Sequence, residues 1–233
     1  TCPRSSGFGW TSRRIEAGTT KPLSWGMPLA TLLNQPRIQR LQTALGAHTV
    51  TPGAAPSDSS RFEAAVALVL RDRGGLDVLL IKRAEIDGDP WSGHMALPGG
   101  RRDAGDSTLR ETAIRETLEE TGVELASRSI HLGRLSDVAP QSPRLPPMYI
   151  TPHVFAVPRD SDAAPNPREV DEVLWVPLTT LASPRVRGEV TIRFENESRE
   201  FPALKVEGRI VWGLTHRILT EFLDLIAPLE GLG

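Results

Sequence analysis

The chain has 233 residues, a length that suits one domain with extensions or, as the alternative, two; 39% hydrophobic and 24% charged, with a formal net charge of −2, is the composition of an ordinary soluble protein. That balance argues against a nucleic-acid polymer or an anionic membrane as partner, and no apolar run reaches the length of a membrane span. Cys2 is the only cysteine, which excludes an intrachain disulfide framework and a cysteine-based zinc site.

Residues 1–26 mix Ser, Thr, Gly and scattered basic residues ahead of Met27, without the apolar core of a secretory signal. They are expected to be a disordered tail or sequence upstream of the true start, with a transit peptide as the alternative. Residues 29–47 read as a helix with Leu29, Leu32, Leu33, Ile38, Leu41 and Leu45 as apolar positions, broken or restarted near Pro36. Residues 51–61 are rich in Pro, Ser and Ala and read as a linker. The expected division is therefore an extension over 1–26, a helical segment with linker over 27–60, and a main domain over 61–228. Residues 62–71 and 76–83 flank Arg73-Gly74-Gly75 and read as a first β-hairpin. A loop follows to Ser92. Residues 93–98 are extended and deliver the chain into Gly99-Gly100, where the backbone can approach a phosphate or cation closely and offer its carbonyls as ligands.

The most informative stretch follows those glycines. Residues 110–120 contain no Pro or Gly and are rich in helix formers. Thr108 and Glu111 fit a capping box, with Asp106 and Ser107 as rival caps, and Gly122 stands where a left-handed residue would close the helix. Glu119 and Glu120 lie three and four residues after Glu116, which puts three carboxylates on one side of a helix. Ile114 and Leu118 are expected on the opposite side, anchoring the helix to the core. Like charges so placed repel unless a hard divalent cation sits among them, and Mg²⁺ or Mn²⁺ suits such oxygens. Arg115, four residues before Glu119, can hold that side chain. Taken alone, Glu116, Glu119 and Glu120 also fit a solvated charged helix; the Gly-Gly turn, Arg115 and Gly122 weigh against that.

Residues 130–138 and 149–158 read as strands around a proline-rich loop at 139–147, a candidate rim for substrate selection. A polar loop at 160–168 leads to a strand ending at Pro177 and a short helical turn at 178–182. Residues 186–194 and 199–206 form a second hairpin. The final helix, 214–226, carries an apolar stripe of Leu214, Ile218, Phe222, Leu225 and Ile226. Irregular alternation of strands and helices, with hairpins, predicts an α/β fold with a mixed sheet flanked by helices.

Arg115-Glu116-Thr117-Leu118-Glu119-Glu120-Thr121-Gly122-Val123 resembles the second half of the Nudix box, G-x5-E-x7-R-E-U-x-E-E-x-G-U with U aliphatic, without exception. The first half departs from it. The segment is one residue longer, and Asp106 or Ser107 falls in the first acidic slot depending on the direction of counting. The resemblance implies a Nudix-type α/β/α sandwich and hydrolysis of a nucleoside diphosphate linked to another group. It implies Mg²⁺ or Mn²⁺ held by Glu116, Glu119, Glu120 and the Gly100 carbonyl, with Arg115 supporting. Glu119 is the favoured base, and Glu169, Asp171 and Glu172 are its rivals. Leu79-Leu80-Ile81-Lys82-Arg83, Gly93-His94-Met95-Ala96-Leu97-Pro98-Gly99-Gly100 and Trp212-Gly213-Leu214-Thr215 resemble the coenzyme A pyrophosphatases of that family, although Gly88 stands where their signature has a second Arg. The implied substrate is coenzyme A. ADP-ribose, a dinucleotide or a damaged nucleotide is the alternative, and a non-catalytic nucleotide-binding module the third. Lys82, Arg83 and Arg101 are candidates for substrate phosphates, and Trp91 for stacking on adenine; His94 and Trp212 read more simply as structural. A cytoplasmic enzyme is expected, and a homodimer is compatible with the family.

Overall fold

The computed structural model describes residues 28–53, 62–86, 91–140, 147–193 and 198–229. The extension expected over 1–26, most of the linker, the loop tip at 87–90 and the centre of the proline-rich loop at 141–146 lie outside the described residues.

The N-terminal helical region is split as its proline requires. α1 (Leu29–Leu33) ends at Asn34, and α2 (Pro36–Ala47) starts with Pro36 in its first turn, where a missing N–H costs nothing. The hairpin follows as β1 (Phe62–Asp72) and β2 (Leu76–Arg83), paired through Leu70↔Val78 and Asp72↔Leu76. Next come two short strands, β3 (Met95–Ala96) and β4 (Gly99–Arg101), and the helix α3 (Leu109–Thr121). A single-turn α4 (Leu125–Arg128), which the sequence reading passed over, leads to β5 (Ile130–Arg134), β6 (Met148–Val157) and β7 (Val170–Pro177). α5 (Leu178–Ala182), β8 (Arg187–Arg193), β9 (Ser198–Val206), β10 (Arg209–Trp212) and α6 (Gly213–Ile226) complete the described chain.

β1 is the axis of a mixed sheet. One of its edges carries β6 in parallel from Phe62↔Met148 to Arg71↔Val157. Its other edge is shared: β2 pairs only with the far end, while β4 pairs antiparallel with the near end through Ala64↔Arg101, Ala65↔Gly100 and Val66↔Gly99. β2 turns away to pair with β7 and β3. The Gly99-Gly100 segment is thus wedged where two strands part. β8, β9 and β10 form a separate three-stranded antiparallel sheet.

Alternation along β1 sorts its side chains onto two faces. Leu68 and Leu70 join a large apolar cluster with Leu32, Ile38 and Leu41 from the N-terminal helices and Ile218, Leu219 and Phe222 from α6. Ala65, Ala67 and Val69 face a smaller cluster that contains Ala113 of α3, Val123, Leu125 and Phe155. The small side chains on this second face let α3 lie close against the sheet. Helices therefore cover both faces, giving the α/β arrangement with a mixed sheet.

Candidate active site

α3 is set by local chemistry. Thr108 is the cap: its hydroxyl accepts from the Glu111 N–H at 3.2 Å, and the Glu111 carboxylate accepts from the Thr108 N–H at 3.2 Å, which closes a capping box. Asp106 and Ser107 lie before it. Gly122, at φ 68°, closes the helix in the left-handed conformation. The residue by which the segment exceeds the Nudix pattern lies outside the helix, so Glu116, Glu119 and Glu120 keep their helical spacing.

The inner face of α3 is not the one Leu118 marks. Leu118 is 44% exposed, whereas Thr112, Ala113, Thr117, Glu120 and Thr121 are buried. The expectation that Leu118 anchors the helix is corrected on this point; Ile114 does pack at the edge of the smaller cluster. The cause is that small and hydroxylated side chains fit beneath a helix pressed onto Ala65 and Ala67. Thr117 and Thr121 satisfy their hydroxyls by donating to the carbonyls of Ala113 and Thr117, at 2.7 and 2.6 Å.

The three glutamates are graded in depth. The Glu120 side chain is 3% exposed, Glu116 15% and Glu119 50%. Glu120 accepts from the Gly99 N–H at 2.8 Å, and Arg83 lies 3.8 Å from it. Burial, with the Glu116 charge nearby, pushes the Glu120 carboxyl up to about 8, and burial also raises Glu116. Glu116 packs on Gly100 so closely that an added Cβ would stand 2.4 Å from its carboxylate oxygen. A Cβ on Gly99, at φ 152°, would meet the Ala65 carbonyl at 2.3 Å. Gly99 is required by the sheet backbone, and a side chain at Gly100 would displace the Glu116 carboxylate.

Arg115 organises the rim. It donates to Glu116 at 2.9 Å, to Glu119 at 3.0 Å and to the Arg101 carbonyl at 3.0 Å. It also grips both oxygens of Asp106 at 3.2 and 3.0 Å. Asp106 further accepts from Thr112 Oγ1 at 2.9 Å and the Asp103 N–H at 3.0 Å. The Arg115 guanidinium, with these neutral donors, holds the Asp106 carboxyl down at about 2. Asp106 is thus the anchor of Arg115, a role its position outside the helix concealed. Arg102 ties the same loop to β1 by bonding Glu63 at 2.6 Å and the carbonyls of Asp106 and Ser107 at 3.1 and 3.0 Å.

Other candidates are placed less centrally. Lys82 pairs with Asp171 at 3.2 Å, and the Arg101 guanidinium lies 3.7 Å over the Phe62 ring. Glu172 is bonded by Arg209. Among the rival bases, Glu169 is the one whose charge raises both Glu116 and Glu120. His94 stacks edge-on against Trp212, with centroids 5.0 Å apart, and Phe201 lies 5.3 Å from Trp212. Trp91 is half-buried in its turn.

The donors suit a hard divalent cation: they are all oxygen, and the buried Glu120 and partly buried Glu116 carry raised pKa values that a positive ion would offset. They are not gathered into a ready cage, since no three His, Cys, Asp or Glu side chains converge among the described residues. Arg115 holds Glu116 and Glu119 aside, and Gly99 holds Glu120.

The family model for the NUDIX domain matches residues 61–194, more than half of the chain. The chain belongs to the Nudix family. Its sheet and helices are a Nudix fold, and hydrolases of this family are pyrophosphatase-type enzymes that generally need a divalent ion such as Mg²⁺ or Mn²⁺. The chain is 37% identical over 118 residues to an uncharacterized protein of Schizosaccharomyces pombe, covering 49% of this chain and 36% of that one. It is 34% identical over 140 residues to the mitochondrial coenzyme A diphosphatase of Homo sapiens, covering 58% and 57%. An uncharacterized Nudix hydrolase of Yersinia pestis is 30% identical over 165 residues, covering 70% and 79%. The chain thus spans about a third and just over half of the first two relatives' lengths. No helix among the described residues is long and apolar enough to cross a membrane.

Proposed function

We propose that this Nudix hydrolase splits the diphosphate of coenzyme A or an acyl-coenzyme A, releasing 3′,5′-ADP and 4′-phosphopantetheine, within a hydrolase domain spanning residues 61–228. The observation that carries the hydrolytic reading is the buried Glu120 and the partly buried Glu116, packed on Gly99 and Gly100 with Glu119 at their rim. These carboxylates and the Gly100 carbonyl would hold a Mg²⁺ or Mn²⁺ ion, which when bound offsets substrate charge and acidifies an attacking water.

The chain's own residues supply the rest. Arg115 fixes the orientation of Glu116 and Glu119. Glu119, half-exposed, can accept the proton of the attacking water as a new P–O bond forms and the bridging P–O bond breaks, the leaving phosphate carrying away the bonding pair. Glu169 is the alternative base. Arg83, beside Glu120, is placed to meet a substrate phosphate.

Coenzyme A is favoured by the match to the human coenzyme A diphosphatase and by the Trp212-Gly213-Leu214-Thr215 segment opening α6. The test is turnover of coenzyme A, ADP-ribose and a diadenosine polyphosphate with Mg²⁺, for wild type and Glu119→Gln. Coenzyme A cleavage that falls sharply in the variant is expected. Cleavage of ADP-ribose with none of coenzyme A would overturn the substrate assignment. Nucleotide binding without turnover would make the protein a binding module.

A further inference from the structure

The three nitrogens of the Arg115 guanidinium are divided between two tasks. Nε and Nη2 are bonded to the loop before α3: they donate to the two Asp106 carboxylate oxygens at 3.2 and 3.0 Å, and Nη2 donates also to the Arg101 carbonyl at 3.0 Å. Nη1 donates to both glutamates, Glu116 at 2.9 Å and Glu119 at 3.0 Å. A guanidinium is flat and rigid, so the direction of two nitrogens fixes that of the third. The position of the loop at 101–107 therefore sets the position of two carboxylates.

A second arginine holds that loop. Arg102 uses each of its side-chain nitrogens: Nη1 on the Glu63 carboxylate at 2.6 Å, Nε on the Asp106 carbonyl at 3.1 Å and Nη2 on the Ser107 carbonyl at 3.0 Å. Its backbone N–H donates to the Glu63 carbonyl at 2.9 Å, which carries the pairing of β1 with β4 one residue past Ala64↔Arg101. Both ends of the loop are thus referred to a single residue of β1. Glu63 is fixed in turn from β6. Tyr149 stands opposite it in the parallel register, and the Tyr149 hydroxyl donates to the Glu63 oxygen that Arg102 does not use. The Glu63 and Arg102 side chains are 30% and 35% exposed, a setting in which an ion pair adds little to stability. Its geometric consequence is larger, because a guanidinium bonded at three points leaves the loop one arrangement.

We propose that Glu63, Arg102 and Tyr149 are positioning residues of the active site, which transmit the placement of β1 and β6 through the loop and Arg115 to Glu116 and Glu119; what those carboxylates then do rests on the hydrolase reading above.

The test reads Arg115 directly on the full chain. Its Nε–H, bonded to Asp106, gives a nitrogen–proton resonance in NMR that requires neither metal nor substrate, and Arg115→Lys identifies it. Glu63→Ala should move that resonance, and Tyr149→Phe, which removes one hydroxyl, should move it the same way by less. Kinetics then use whichever of coenzyme A, ADP-ribose and a diadenosine polyphosphate the wild type cleaves with Mg²⁺. Glu63→Ala should lower kcat at least about threefold with KM within about twofold of wild type. Where Asp106→Ala has already broken the link, adding Glu63→Ala should change kcat by less than about 1.5-fold. A pair that serves folding alone would lower the urea midpoint and leave the Arg115 resonance and the kcat of folded protein unchanged. The proposal is overturned if the Arg115 resonance is unmoved in both Glu63→Ala and Tyr149→Phe, if KM rather than kcat takes the loss, or if Glu63→Ala costs the same factor with and without Asp106→Ala. Wild-type protein that cleaves none of the three substrates would overturn the hydrolase reading instead, and the Arg115 resonance would still decide how the glutamates are held.

Discussion

The two faces of the central sheet are built on different terms. On one, Leu68 and Leu70 of β1 meet Ile38, Leu41, Ile218 and Phe222 in a broad apolar layer. On the other, Ala65 and Ala67 meet a helix whose inward residues include three threonines and a glutamate. The first face has the amphipathic pattern that makes a helix stable by burial. The second gives up apolar area so that α3 can press Glu116 and Glu120 against the two glycines. Stability and chemistry are therefore assigned to opposite sides of one strand, and substitutions on the two sides should separate cleanly.

The largest effect is expected on the chemical side. Glu116→Gln should lower kcat/KM by about 10³-fold while the midpoint of urea unfolding stays at or above the wild-type value, because a charge that desolvation disfavours is removed without changing shape and Arg115 keeps Asp106 and Glu119. Steady-state kinetics beside equilibrium unfolding would check both halves. On the apolar side the converse is expected. Phe222→Ala should cost about 3–5 kcal/mol of stability through the cavity it leaves, with kcat/KM of the folded fraction nearly unchanged.

The two faces should also differ in acid. His153 of β6, paired with Ala67 on the α3 side of the sheet, is buried, and its ring shares a hydrogen bond of 3.1 Å with His131. Burial, with the neighbouring His131 and Arg134, lowers its pKa from 6.5 to about 4. Between those values the unfolded chain binds more protons, so stability should fall as pH drops from about 6.5 to about 4 and level off below. The loss is of the order of 3 kcal/mol. Urea midpoints at several pH values for wild type and His153→Leu would reveal it, and a parallel decline in the variant would assign the loss to other groups.

Asp106→Asn loosens the grip on Arg115. It should lower kcat/KM about tenfold through misplacement of Glu116 and Glu119, and Asp106→Glu should recover part of that where Asp106→Ala does not. The smallest effect is expected at Leu118: replacing it with Ala should change stability by less than about 0.5 kcal/mol, since the side chain is largely in solvent.

The Leu118 case shows where sequence patterning ends. An apolar residue on a helix signals burial only when the helix is held by apolar contacts. α3 meets the sheet through small residues such as Ala113, with Thr117 and Thr121 bonded back to its own carbonyls and Glu120 to Gly99, so the larger apolar Leu118 misleads. α6 is the contrast: Ile218, Phe222 and Ile226 were legible as a stripe and are buried. Local signals read well for the same reason that they are local. Pro36, the Thr108–Glu111 box, Gly122 and both hairpins are decided by a few neighbouring residues. The ten-residue parallel pairing of β1 with β6 joins segments nearly ninety positions apart, and no nearby residue encodes it. In the site, the glutamate spacing and the Arg115–Glu119 pair were readable, whereas the depth of Glu120 and the Asp106 anchor depend on where β4 and the preceding loop lie.

The central claim is that α3 presents its glutamates to a divalent cation beside Gly99 and Gly100. Mn²⁺ binding followed by electron paramagnetic resonance, in wild type and Glu120→Gln at neutral pH, addresses it directly without reference to substrate. The account predicts saturable Mn²⁺ binding that weakens at least about tenfold when the Glu120 carboxylate is lost. Equal affinity in the two proteins would contradict it.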